Sequence, residues 1–528
     1  MDLKFSEMSV DTSLAQEYLN KNKTLLELCN DYDGITKKFH PYGYDGKEFI
    51  KNGRWSSEFN DGVDQGVGNT ILNMASSLKQ NANLIAQLEY LFRNIPIEVT
   101  NAQLNLLIQY FRCNMDSDKG YCSDVFYPDD PLLMIGSQML WLCKIRTLSC
   151  ISKATAAICH LLVTLLYDAQ GAKKFRLCID PTRDIPKFDW LSWAKRPIRG
   201  LDSGTVAVVS DDADVDSAVD KFISVSTKAP WRLRRILVQE SVYQQFKDTL
   251  SWKCNLKKSE NKPITPNVLC SDSLTYNDRT FLLDPVELTE ENSSVVTVEA
   301  YRTTKEVISL VQQDRTRYLS LWTNGIAEIN EVTHSTKSPV VWVNNVADFR
   351  GPAQVAEAVF AYTNFNYPNL ECDRFPKLYE LSQSWLKLNV ESRRDILCGL
   401  LDKYILLNSA NKQLTKVKNS LLTCTLKSFV DVGKDYVCIG MSQPVGVLGY
   451  TGPIFSVESF KSILQGNALG VLSEADEVLS DCSLFEVAGV PVILVDRATM
   501  KNDLELLKPG LDTETRVIWT NSGTIFAN

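Results

Sequence analysis

Histidine is scarce in this 528-residue chain, with His40, His160 and His334 alone, and none of the 14 cysteines stands in a C-x-x-C pair. Zinc sites draw on closely spaced Cys and His ligands, so no metal centre is expected. The scattered thiols read as small buried hydrophobes of a reducing compartment. Excess positive charge is also lacking: 56 Lys and Arg against 64 Asp and Glu leave a net charge of −8. Phosphate backbones are bound by clustered Lys and Arg, so a dominant nucleic-acid surface is disfavoured. The most apolar stretch, Ala154 to Ala169, carries His160 and falls short of the ~20 residues that a membrane span needs. The opening MDLKFSEMSVDTSLAQEYL carries acids early and has no apolar core of the secretory kind. The expectation is a soluble, cytoplasmic chain with no membrane span.

What is present fits a globular protein. With 44% hydrophobic and 23% charged residues, 25 Gly and 19 Pro, disordered, collagen-like and coiled-coil readings are disfavoured. At roughly 150 residues per domain the length suggests about three or four units.

The first hundred residues read as helical after the glycine-rich lead Asp61 to Gly68, which has no G-x-G-x-x-G after a strand and so no phosphate loop. Apolar residues recur at helical spacing from Ile71 to Leu78 and from Leu84 to Phe92. Thr100 is a plausible N-cap for a third helix through Phe111. Cys122 to Pro131 is turn chemistry, with a helix expected over Leu132 to Leu142. From Thr205 the texture changes. Thr205-Val-Ala-Val-Val209 suits a strand buried on both faces, and Ser210 to Val219 supplies N-cap oxygens and a helix start. Strands at Ile236–Val238, Val295–Val298, Leu319–Thr323 and Val340–Val343 alternate with helices at Val242–Leu250 and Thr304–Gln312. That alternation predicts an α/β fold with a mostly parallel, doubly wound sheet. After Pro368 comes a long amphipathic stretch, Leu381 to Ile405, and then a strand–turn–helix opened by Pro444-Val-Gly-Val-Leu-Gly449. Ile71 and Ile396, and Pro128 and Pro453, recur at one offset in matching contexts, the mark of an internal repeat with a truncated second copy.

These segments resemble the aldehyde dehydrogenase superfamily. Leu201 to Val219 is similar to its "LGGKSPAIV…DADLDAAV", Arg235 to Phe246 to "RIFVQESIYDEF", and Val340-Val-Trp-Val-Asn344 to "GTVWVN". Val296 to Leu310 with Leu319 to Thr323 resembles "GPVVTV…EEAI…LSASVWT", and Tyr362-Thr363 resembles the closing "YT". In the second copy, Pro444 to Pro453 resembles "PVGVVGAIIPWN" and Gln465-Gly-Asn467 resembles "AGNTVVLKPAE". A second, C-terminally shortened unit points to family 16 of the superfamily.

The resemblance implies Rossmann-type domains and an organisation by residue range. Residues 1–200 would be a degenerate nucleotide-binding-like domain and 201–345 a shortened catalytic-like one. Residues 346–375 would form a returning oligomerisation segment and 376–528 a truncated second unit. It also implies a thiol nucleophile, hydride transfer to a nicotinamide, and water activated by a general base. The nucleophile's place, five residues before Arg235, holds Pro230. The base's place holds Gly200. The oxyanion amide's place holds Asp129 or Asp130, whose charge would oppose a developing oxyanion; in the second copy it holds Phe455. For the cofactor, Lys153 reaches the family lysine's place by a one-residue slip, and Glu290 or Glu291 stands near that of the nicotinamide-ribose glutamate. The turn that meets the pyrophosphate has no counterpart between Asp180 and Gly200, where Phe188, Trp190, Trp193, Lys195, Arg196 and Arg199 form an aromatic, basic loop.

The leading expectation is therefore a catalytically inactive, tandem aldehyde dehydrogenase-like scaffold or binding module with no cofactor. It would form a homodimer and bind an unidentified protein partner. Two rivals are an NAD(P)-dependent dehydrogenase with a displaced thiol, Cys254 or Cys178 being nearest, and a nucleotide-binding sensor without turnover. The cluster Trp231-Arg-Leu-Arg-Arg235 reads as solvated or salt-bridged rather than anion-binding, and His160 as a satisfied core histidine.

Overall fold

The computed structural model describes residues 10–22, 48–51, 54–59, 67–113, 147–150, 153–170, 175–179 and 204–256, and with short gaps 272–360, 376–424 and 428–521. The N-terminal layer holds α1 (Ser13–Lys21), β1 (Glu48–Lys51), β2 (Arg54–Phe59), α2 (Val67–Gln80), α3 (Ala82–Arg93), α4 (Ile97–Cys113), β3 (Thr147–Cys150), α5 (Lys153–Gln170) and β4 (Phe175–Ile179). Its sheet order is β1-β2-β4-β3, antiparallel except for the parallel pair β3–β4. Thr100 is not a cap. Helix α4 starts just after Pro96, and Thr100 is fully buried inside it. Proline pre-sets a helical φ and has no N–H to lose, which makes it the better start signal. Helices α2 to α4 follow the glycine-rich lead as expected, and before it, where no strand is expected, β1 and β2 flank Asn52-Gly53 in an antiparallel pair.

The central layer runs β5 (Thr205–Val209), α6 (Val215–Ser224), β6 (Leu233–Gln239), α7 (Glu240–Leu256), β7 (Asp272–Tyr276), β8 (Arg279–Leu283), β9 (Val295–Tyr301), α8 (Thr304–Asp314), β10 (Tyr318–Trp322), α9 (Ile326–Ser335), β11 (Val340–Val343) and α10 (Gln354–Phe360). Strands β5, β8, β10 and β11 are buried at every position. One face of the sheet, with Ala207, Val209 and Ile236, packs on Phe222 and Phe246 of α6 and α7. The other, with Val206, Val208 and Leu319, packs on Val307 and Val332 of α8 and α9. Helices on both faces of parallel strands make the doubly wound α/β fold that the sequence predicts. Asp214 caps α6, accepting from the Ser217 N–H at 3.1 Å, and Ser217's hydrogen bonds hold its carboxyl below the usual range.

The last layer holds α11 (Pro376–Leu386), α12 (Val390–Leu407), α13 (Lys412–Thr423), β12 (Ser428–Val432), β13 (Tyr436–Pro444), β14 (Val447–Tyr450), α14 (Val457–Gln465), β15 (Ala468–Leu472), β16 (Val492–Val495), β17 (Glu505–Leu506) and β18 (Thr513–Asn521). The stretch expected as one helix, Leu381 to Ile405, is two, because α11 ends at Leu386 and α12 begins at Val390. Strands β14 to β17 form their own parallel sheet in the order β16-β15-β14-β17.

Strands β12, β13 and β18 do not join that sheet. They extend the central one, whose order is β12-β13-β18-β11-β10-β5-β6-β9-β8-β7. Strand β18 lies parallel to β11, with Trp342 opposite Trp519, and antiparallel to β13, with Cys438 opposite Trp519. Unpaired N–H and C=O groups along a buried edge are costly and adhesive. Ending the chain at residue 510 therefore bares the flanks of both β11 and β13. The shortened protein is expected to aggregate by light scattering at concentrations where the intact chain stays dispersed.

Candidate functional site

Pro230 lies in the buried turn between α6 and β6. Arg232 N–H donates to Ala229 O at 2.9 Å and Ala229 N–H to Ser226 O at 3.4 Å, which closes the turn. Thr205 ties it to the head of β5, its N–H donating to Arg232 O at 2.7 Å and its hydroxyl to Trp231 O at 2.8 Å. Gly204 makes this approach possible: its φ is +65°, and a Cβ there would lie 2.5 Å from Arg232 O. On the far side, the buried Arg279 guanidinium donates to the carbonyls of Phe222 and Val225, anchoring the end of α6.

From Trp231, the residue after Pro230, a chain of aromatic rings runs into the core. Trp231 meets Phe349 edge-on at 4.6 Å, Phe349 meets Trp342 at 5.4 Å, and Trp342 stacks on Tyr318 at 5.7 Å. An open cleft of about 430 Å³ borders the turn, lined in part by Tyr90, Pro96, Ile97, Ile223 and Lys228. Its lining runs from Ile223 to Lys228 and stops short of Pro230. Proline has no titratable or nucleophilic atom, so position 230 offers substrate neither a thiol nor a base.

Of the other site positions, Gly200, Asp129, Asp130, Glu290 and Glu291 lie outside the described residues. Lys153 opens helix α5 after β3, and only its backbone is described. Phe455 is buried and stacks on Tyr404 with centroids 3.8 Å apart, so a ring occupies the place that the resemblance gives to an amide in the second copy.

Thiolate chemistry finds no support at Cys254. It is buried on α7, and burial pushes its thiol up to about 11. Burial likewise pushes Cys438 up to about 12. Both thiols stay protonated at neutral pH, when the thiolate is the nucleophile. Cys178 lies on β4, and its side chain is outside the described residues. Among the described residues no cluster of His, Cys, Asp and Glu is placed to hold a metal ion.

The arginine cluster is salt-bridged. Arg235 spans Glu299 and Asp314, with Nε 3.0 Å from Glu299 Oε1 and Nη1 2.9 Å from Asp314 Oδ2. His160 is a core residue whose Nδ1 lies 2.7 Å from the Tyr18 hydroxyl, and burial pulls its imidazole down to about 4.

The sequence gives no warning of one further constellation. The chain order places a switch point between β5 and β10, where open α/β sheets receive ligands at their strand C-termini. Here the protein's own groups fill that crevice. The Thr323 hydroxyl lies 2.8 Å from Asp212 Oδ1 and 2.9 Å from Glu328 Oε2. Asn324 N–H donates to Asp212 Oδ2 at 3.1 Å, and Asn344 bridges the Thr323 backbone through both amide atoms. Nor does the N-terminal layer supply a dinucleotide cradle among the described residues. It contains one βαβ unit, β3–α5–β4, with antiparallel β2 beside it. A dinucleotide fold uses successive parallel βαβ units, and the described residues of this layer show one.

No family model and no curated protein matches the chain. Solved structures do match. Betaine aldehyde dehydrogenase from Staphylococcus aureus in complex with NAD+ is 15% identical with a TM-score of 0.42, covering 53% of this chain and 75% of that one. A proline-to-methionine variant of it with NAD+ gives 15% and 0.41, covering 53% and 77%. The apo form of a glycine-to-serine variant gives 14% and 0.41, covering 53% and 75%.

Proposed function

We propose that this chain is a catalytically inactive, aldehyde dehydrogenase-like protein of the tandem, family 16 type, which keeps the fold as a scaffold or binding module. The observation that carries this reading is the Pro230 turn. The residue at the expected nucleophile position is buried and has no reactive atom, and the next residue, Trp231, packs its ring on Phe349. The protonated state of buried Cys254 speaks against a displaced thiol. On this reading no cofactor is held, and the protein is a cytoplasmic homodimer that binds a protein partner. Function resides in sites placed on folds, so the core can persist once the chemistry is gone.

Purified full-length protein mixed with NAD or NADP and a panel of aldehydes should form no reduced nicotinamide. Pro230→Cys should stay equally silent, because the general-base position still holds Gly200 and the oxyanion-amide position Asp129 or Asp130. Saturable turnover by either protein would sink the proposal. A rise in melting temperature with NAD but without product would instead mark a nucleotide-binding sensor.

A further inference from the structure

The loop after β11 touches both Trp231, in the Pro230 turn, and the C-terminal strands. It carries two non-glycine residues in the left-handed region, Asn344 at φ 52° and Ala347 at φ 57°, as well as Gly351 at φ 139°. Such backbone persists only where surrounding contacts hold it. On the inner side, the Asp348 carbonyl accepts from Trp342 Nε1 at 2.6 Å, and Phe349 lies against Trp231 and Trp342. On the outer side stands Arg350. Its guanidinium grips Asp348 through Nη2 at 2.6 Å and Asp435 through Nη1 at 2.8 Å. It also lies over the rings of Tyr436 at 5.2 Å and Trp519 at 5.5 Å. Gly351 completes the approach, since a Cβ there would sit 3.4 Å from Cys438 Sγ.

We propose that Arg350 is a latch through which docking of the C-terminal strands β13 and β18 holds the loop 344–352 closed over Trp231. The two sides of the loop move together. Asp348 presents its carboxylate to Arg350 and its carbonyl to Trp342, so Arg350 cannot leave Asp435 and the two rings without loosening the segment that carries Phe349. An isolated exposed ion pair contributes little. This guanidinium instead makes paired contacts to two carboxylates and lies over two rings, which gives it a defined geometry. Release of β13 and β18 would bare the apolar surface of Trp231 and Phe349. The C-terminal unit thus controls whether the face beside Pro230 is accessible, whatever that face binds.

Hydrogen exchange read by mass spectrometry on the full chain tests this. In Arg350→Gln, peptides covering 344–352, 436–444 and 226–233 should all exchange faster, by about tenfold for local opening. A peptide over 304–312, in α8 and packed with Val206 and Leu319, should be unchanged and guards against global destabilisation. Asp435→Asn, which leaves the Asp348 contact in place, should give a smaller increase at the same three segments. Faster exchange at 344–352 and 436–444 with 226–233 unmoved would overturn the coupling. Uniform acceleration that includes 304–312 in both variants would overturn it too, since the effect would then be loss of fold. No change in either variant would show that Arg350 holds nothing.

Discussion

Trp342→Ala should destabilise the protein by about 4 kcal/mol, the scale of a fully buried aromatic truncated to Ala. Trp342 is fully buried on β11, stacked on Tyr318 at an interplanar angle of 9° and edge-on to Phe349. The substitution leaves a cavity between the central sheet and the N-terminal helices, whose shared core includes Ile71, Phe111, Trp342 and Trp519. It also strips the Asp348 carbonyl of its indole donor. The surroundings cannot collapse easily, because β11 is fixed between β10 and β18. Chemical denaturation of the two proteins measures the difference. A loss below about 1 kcal/mol would mean that the cluster repacks freely, and the rigid packing described beside Pro230 would be wrong.

Mild acid should weaken the N-terminal layer. Burial lowers His160 from its ordinary 6.5 to about 4 in the folded protein. The unfolded chain therefore takes up a proton near pH 6.5, whereas the folded one resists until about 4. Wherever the unfolded state binds more protons, stability rises with pH. The contribution of neutral His160 is thus fully present above about pH 6.5 and is lost progressively as the pH falls towards 4. At 1.36 kcal/mol per pH decade the whole loss is about 3 kcal/mol. His160→Gln carries no such titration. Its stability should start lower, since Tyr18 loses its ring partner, but fall less steeply between pH 6.5 and 4.5. Parallel slopes for the two proteins in thermal unfolding across that range would refute the assignment.

Much of the central sheet is legible in the sequence because strands covered on both faces need continuous apolar runs. Thr205 to Val209 and Val340 to Val343 supply them, and both lie fully buried. The hairpin of β1 and β2 is harder to see. Arg54-Trp-Ser-Ser-Glu-Phe59 carries no clean alternation, and the informative signal is the Asn52-Gly53 pair, which favours a tight turn between strands. Thr100 misleads because its hydroxyl suits a cap, yet Pro96 already sets the helix start. Strand β18 is not anticipated in the sequence, and its partner β11 lies far back in the chain and is selected by tertiary packing. The same holds at the site. Counting back from Arg235 reaches Pro230, but nothing near Pro230 announces Phe349 as the ring against Trp231. The Asp212–Thr323–Glu328 crevice is hidden in the same way, joining the ends of β5 and β10 across a crossover.

The place of β18 also has a consequence in time. About 170 residues separate Val343 at the end of β11 from Thr513 at the start of its sheet partner. A ribosome adding about 5–20 residues per second needs roughly 10 to 30 s to cover that distance. During this interval strands β5 to β11 can already be made while one flank of β11 still lacks its neighbour. The nascent chain thus passes through a stage with a short but wholly apolar strand uncapped, and a cell making it must shield that strand until the last segment emerges. Fusing a stalling sequence shortly after Phe360 should trap this stage, and chaperone binding to the stalled chain should fall once the stall is moved beyond Asn521.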